Sequence, residues 1–158
     1  MESTESKGEP GMKTIILYAS THHGNTKKIV QAMAKCLAAD VVDITKNIQP
    51  DISAYDVVGL ASGVYFHSLH ESIRKFIDNA SFDGKQKAFL VDTCGVGYRD
   101  YAKDAKKALK AKGVSCLGSF QCRGYDTFGV FGKIGGIAKK HPNEKDLENA
   151  RIFAQNLM

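Results

Sequence analysis

The residues best suited to chemistry cluster at Ser20-Thr21-His22-His23-Gly24-Asn25-Thr26, directly after the apolar run Lys13–Ala19. Three hydroxyls, an asparagine and a glycine are packed into one turn that opens a helical pattern. The first amides of a helix lack intrahelical partners and the macrodipole favours negative charge there, so such a turn suits an anion. Ser20, Thr21 and Thr26 add side-chain donors, and Gly24 lets the backbone approach closely. His22 or His23 would add positive charge when protonated, or else face solvent. A capped turn that binds nothing would also use Ser, Thr and Asn, so the loop alone leaves both readings open. Spacing removes two others: the chain has no GxxxxGK[ST] for a P-loop and no GxGxxG at this turn for a dinucleotide. Cys36, Cys94, Cys116 and Cys122 form no CxxC pair and no metal-like cluster with histidine, so neither a metal site nor a disulfide framework is expected.

The elements that must hold this turn alternate with regularity. Lys13–Ala19, Asp40–Ile44, Tyr55–Ala61, Lys87–Thr93 and Val114–Cys122 read as strands, three of them continuous apolar runs suited to burial on both faces. Between and after them lie helical patterns over Asn25–Ala39, Leu69–Asn79, Tyr101–Lys112 and a last one from Asn143, its expected N-cap, to Leu157. Leu147, Ala150, Phe153, Ala154 and Leu157 form the apolar face of that last helix. Asn47–Ser53, with Pro50, reads as loop. Residues 123–142 hold five glycines and no periodicity. Strands separated by helices imply a parallel sheet covered on both sides, and right-handed crossovers leave few topologies, of which the order 2-1-3-4-5 is common at this length.

Length and charge set the outer limits. The 158 residues suit one domain, which at this size buries roughly 70% of the unfolded chain's surface. Residues 1–12 carry no apolar signal-peptide core and are expected to be a disordered leader, native or added, with Met12 available as the true start and the domain over 13–158. No apolar run is long enough to span a bilayer. With no export signal, reduced thiols and a cytoplasmic location are expected. The formal charge is +5, and with three acids against one lysine in the leader the rest carries about +7. Its lysines, such as Lys103, Lys106, Lys107, Lys110 and Lys112, follow a helix face rather than forming a nucleic-acid patch, so no nucleic-acid partner is expected.

The stretch TIILYASTHHGNTKKIVQAM resembles the opening of flavodoxins, in which a strand ends in an [ST]xxGxT loop that wraps the phosphate of FMN. The resemblance covers residues 13–158. It implies a flavodoxin-like three-layer α/β sandwich with a five-stranded parallel sheet of order 2-1-3-4-5 and FMN as cofactor. It places Ser62-Gly63-Val64-Tyr65-Phe66-His67 against the flavin ring, with Tyr65 the expected ring contact and Gly63 free to reorient opposite N5. Thr93, Cys94, Gly95, Gly97 and Tyr98 would meet the pyrimidine edge, Cys94 and Gly95 by backbone and Tyr98 by stacking. The acidic residue and tyrosine that flavodoxins often carry near the strand end there are absent. The glycine-rich segment 123–142 would cover the flavin or merely connect.

Function follows in two forms. The first is an electron carrier that shuttles one or two electrons between redox partners. Its basic rim (Arg99, Arg123, Lys133, Lys139 and Lys140 against Asp100 and Asp126) departs from acidic flavodoxins and suits an acidic redox partner protein. The alternative is an FMN-dependent oxidoreductase acting on a quinone or porphyrinogen. The intact hydroxyl loop argues against a module that kept the fold and lost the flavin. No residue is assigned a catalytic role, and the oligomeric state is left open.

Overall fold

A computed structural model describes residues 11–21, 24–46, 48–95, 97, 99–124 and 140–158. Along the chain these form β1 (Thr14–Ala19), α1 (Asn25–Leu37), β2 (Asp40–Asp43), β3 (Val57–Tyr65), β4 (Ser68–Leu69), α2 (Glu71–Asn79), β5 (Lys87–Cys94), α3 (Lys103–Ala111), β6 (Ser115–Arg123) and α4 (Glu144–Asn156). Five strands pair in parallel in the order β2-β1-β3-β5-β6. That is the expected 2-1-3-4-5 arrangement, with the short β4 added antiparallel to β3 through Val64↔Leu69 and Tyr65↔Ser68.

Strand alternation divides the core in two. On β1, Ile15 and Leu17 join Ile73, Phe76, Ile77, Ala105 and Leu109 from α2 and α3. Ile16 and Tyr18 point the other way, to Ile29, Val30 and Met33 of α1 and Ala150 and Ala154 of α4. All six residues of β1 are buried, which is why its sequence shows an unbroken apolar run instead of an alternation. Gly59 in the middle of β3 has a packing reason: a Cβ there would sit 2.4 Å from the Phe89 ring, which lies across the strand. At the edge, β5 and β6 slip register between Ala88 and Leu90.

Among the boundaries that differ from the sequence expectation, two have clear local reasons. The chain after β3 does not run directly into helix. Phe66 and His67 adopt φ of 50° and 67°, a reversal with two successive left-handed residues, so Ser68 and Leu69 return as β4 and α2 begins at Glu71. Helix α1 stops at Leu37 because Ala38 turns left-handed, with φ 50°, and Ala39 closes back onto the Ala34 carbonyl. The Asn143 N-cap is as expected, in a full capping box with Asp146. Most of the leader (residues 1–10) and of the glycine-rich segment (residues 125–139) lies outside the described residues.

Candidate functional site

The carboxyl ends of β1, β3 and β5 converge where the strand order reverses, the usual ligand position in an open α/β sheet. A narrow cleft there is lined by Ser20, Asn25 and Thr26 on one side and Gly63, Val64 and Tyr65 on the other. Thr93, Cys94, Gly95 and Gly124 close its third side.

On the α1 side, Gly24 is the N-cap with φ 65°, a conformation that disfavours any side chain. It supplies no side-chain cap, and the first turn of α1 holds no acid. The N-cap residue and the first turn of α1 thus offer these amides neither a capping side chain nor a carboxylate of their own. Ser20 Oγ is buried without a hydrogen-bond partner. An orphaned hydroxyl is costly to bury and fits a ligand acceptor in the cleft. Thr26 is 1% exposed, and its hydroxyl pairs with that of Thr93 at 2.8 Å, tying the first turn of α1 to the end of β5. Asn25 packs against Gly124, where a Cβ would lie 2.6 Å from Asn25 Nδ2. His22 and His23 lie outside the described residues.

On the β3 side, the Tyr65 hydroxyl reaches across to Thr21, 2.5 Å from Thr21 Oγ1, and accepts the Thr21 N–H at 3.3 Å. Tyr65 thus bridges the two loops, its ring above Gly63, where a Cβ would come within 3.0 Å of the tyrosine oxygen. Ser62 is turned inward. Its hydroxyl donates to the Gly63 carbonyl at 2.5 Å and accepts the His70 N–H at 2.8 Å, bracing the 62–70 excursion from beneath. Phe66 sits at the apex of the reversal, 82% exposed, and His67 stacks on Tyr101, just before α3, with ring centroids 6.5 Å apart. Neither lines the cleft.

On the β5 side the backbone is already engaged. The Cys94 carbonyl accepts Gly124 N–H at 2.8 Å, and the Gly95 carbonyl accepts Arg123 Nε at 2.9 Å. The Gly95 carbonyl keeps a second lone pair for a ligand donor. The Cys94 thiol is buried and points to the Cys122 carbonyl. Gly97 lies away from the cleft against Gln121, and Tyr98 lies outside the described residues.

Gln121 introduces a group that the sequence reading passed over. Its amide donates to Asp92 Oδ2 at 2.9 Å and to the Arg99 carbonyl at 3.0 Å, pinning the loop after β5. Asp92 is 2% exposed, and burial pushes its carboxyl up to about 7, opposed by the Gln121 hydrogen bond. The signal was present as a charged residue inside the apolar run KAFLVDT.

The flavodoxin domain profile matches residues 15–135. The chain belongs to the flavodoxin family. An uncharacterized protein of Methanocaldococcus jannaschii is 44% identical over 150 residues, covering 93% of this chain and 99% of its own. Among solved structures, oxidised flavodoxin 2 of Bacillus cereus superposes with a TM-score of 0.68 at 19% identity, over 92% of this chain and 97% of that one. General stress protein 14 of Treponema denticola, solved in complex with FMN, superposes with a TM-score of 0.62 at 11% identity, over 92% and 99%. These two likenesses share the flavodoxin fold that the strand order already gave. No described helix is long and apolar enough to cross a membrane.

Proposed function

We propose that this chain binds FMN in the cleft between β1 and β3 and works as an electron carrier between redox partners. The observation that carries the reading is the N-terminus of α1, which has no side-chain cap and no acid, beside a Ser20 hydroxyl buried without a partner. A phosphate placed there would meet helix amides, the dipole and the Ser20 and Thr21 hydroxyls. Tyr65, Gly63 and Val64 would form the wall toward the ring, with Thr93, Cys94 and Gly95 at its far edge. FMN supplies the redox chemistry; the chain excludes water and sets the charge around it. The FMN in the T. denticola structure, bound by the same fold, supports the same cofactor here.

The +5 net charge suits an acidic redox partner, whose association would slow as salt rises. Arg123 reaches the cleft's third side through the Gly95 carbonyl, Arg99 follows β5 and Lys140 precedes α4, all three exposed, whereas Lys133, Lys139 and Asp126 lie outside the described residues. Four free cysteines accord with a cytoplasmic setting. Mass spectrometry of the ligand released by acid from purified protein is the test. FMN is expected; FAD as the main species, or no flavin uptake from excess FMN, overturns the reading.

A second reading, an FMN-dependent oxidoreductase acting on a small molecule such as a quinone, is favoured by one observation. A cavity of about 550 Å³ adjoins the cleft and shares Tyr65 with it.

A further inference from the structure

The chain that follows β5 is fixed from behind by one side chain of β6. Gln121 donates from its amide nitrogen twice, to Asp92 Oδ2 at 2.9 Å and to the Arg99 carbonyl at 3.0 Å. Two acceptors leave that nitrogen one way to point, so the amide oxygen faces the other side. Gly97 crosses there so closely that a Cβ would lie 3.1 Å from Gln121 Oε1 and 3.4 Å from Cys94 Sγ. The backbone at Gly97 and Arg99 is thereby held beside Cys94, which lines the cleft together with Gly95.

Holding an amide requires no charge. An asparagine side chain would accept the same hydrogen bond, yet the fold keeps a carboxyl that is only 2% exposed. Burying a carboxylate with an amide as its donor costs stability. What the charge adds is grip: a hydrogen bond to an ionised acceptor is roughly twice as strong as a neutral one.

The groups around this carboxyl are few. Asp100 and Lys106 act on it in opposite directions and are paired with each other at 2.8 Å, and Arg99 lines the same open pocket. On β6, burial raises the Cys122 thiol well above its ordinary value, which keeps it neutral. The β3 residue in register is Ser62, and the buried residues of α1 include no titratable group. Burial lifts the Asp92 carboxyl itself to about 7, so its charge changes near neutral pH.

We propose that Asp92 acts through Gln121 as a positioning residue for the backbone at the far edge of the flavin, and that its ionised form holds the flavin more tightly. The inference rests on the FMN reading and names the pair that sets this edge. A weaker pin lowers the fraction of chains with the loop in place, and apparent affinity falls by that fraction. Protonation should cost about fivefold, the difference between a charged and a neutral hydrogen bond. Linkage is reciprocal, so bound flavin should lower the Asp92 midpoint by about 0.7 pH unit, the logarithm of that factor.

Riboflavin is the probe, because a phosphate monoester such as FMN itself titrates at about pH 6. Its affinity is measured by fluorescence between about pH 5.5 and pH 8.5. The wild type should bind about fivefold more tightly at the upper end. Asp92→Asn keeps an acceptor oxygen without the charge and should show the weaker affinity throughout. Gln121→Leu, its fold checked by its melting profile, should bind weakly with no dependence on Asp92. The carboxyl carbon resonance of Asp92 should titrate lower with riboflavin bound than without. Identical pH profiles in wild type and Asp92→Asn, tighter binding at low pH, or a midpoint that riboflavin leaves in place overturns the positioning role and leaves the FMN reading standing. If neither riboflavin nor FMN binds, both fall together.

Discussion

Helices α1 and α4 pack against each other on one face of the sheet, yet their N-termini are built in opposite ways. At α4, Asn143 caps the Asp146 amide, Asp146 caps the Asn143 amide, Glu144 adds an acid in the first turn, and His141 Nδ1 meets Asp146 at 2.6 Å. At α1 a left-handed glycine stands in the cap position, no acid follows, and a buried hydroxyl beside the turn has no partner. One terminus answers its own amides with its own oxygens. The other leaves that to something else. Local stability favours the first design, so the second is where the proposed FMN site would forgo stability for binding.

The strongest way to break this contrast is to give α1 the negative charge it lacks. Ser20→Asp would set a carboxylate against the phosphate of FMN. At an effective dielectric near 20 and ~4 Å separation, each pair of like unit charges costs about 4 kcal/mol. FMN binding should fall by more than a hundredfold, while riboflavin, without the phosphate, should bind almost as before. Ser20→Ala is the gentler form, removing one charge-assisted bond worth roughly 1.5–3 kcal/mol. Fluorescence titrations with both flavins check this pair. Equal losses for the two flavins would place the phosphate elsewhere.

A third acid sharpens the contrast from another side. Asp146 has donors from backbone and histidine, whereas Asp92 is buried near the end of β5 with the Gln121 amide as its hydrogen-bond donor. Its carboxyl is raised from 3.8 to about 7, chiefly by burial. A raised acid binds its proton more tightly in the folded than in the unfolded chain, so stability is full below about pH 4 and falls as pH rises toward 7. Asp92→Asn should remove that decline, and above pH 7 it should exceed the wild type by at most about 4 kcal/mol, three units at 1.36 kcal/mol each. Urea unfolding at pH 4.5 and pH 8 measures it. A constant difference between variant and wild type across that range would mean that Asp92 is ionised throughout.

Much of this was legible in the sequence, and the reasons separate cleanly. The parallel sheet was readable because a strand buried on both faces must be apolar throughout, as in KTIILYA, and a helix such as α4 must show its stripe. The hydroxyl turn stood out because the residue types that an anion site at a helix terminus would need fall in one short stretch. What escaped depends on contacts between distant residues. Tyr65 meets Thr21 across 44 positions, and Thr26 meets Thr93 across 67. Local periodicity carries no record of such pairs. Phe66 entered the expected ring wall through the resemblance, and a hairpin turn without Asn or Gly gave no warning that it would sit at an apex with φ of 50°.

The smallest expected effect tests the closed end of the comparison. Asn143→Ala removes the oxygen that accepts the Asp146 N–H, and with it half of the capping box. Loss of an Asn cap costs about 1 kcal/mol, tempered here because the Asp146 carboxylate can still meet the Asn143-position amide at 2.8 Å and the helix dipole. For a domain of this size that is a fall of roughly 3 °C in the melting temperature. The site lies outside the cleft, so FMN affinity should stay within twofold of wild type. Gly24→Ala is the matched change at the open end. It forces a side chain into φ 65°, at a cost of about 1–2 kcal/mol, with open space around the new methyl. Its effect should reach the flavin, because the cap residue sets the direction of the α1 amides. Calorimetry and FMN titration on the two variants therefore give a crossed result: similar losses of stability, but a loss of affinity at Gly24 alone. If Asn143→Ala weakens FMN binding as much as Gly24→Ala does, the two termini act as one unit, and the division of labour between them does not hold.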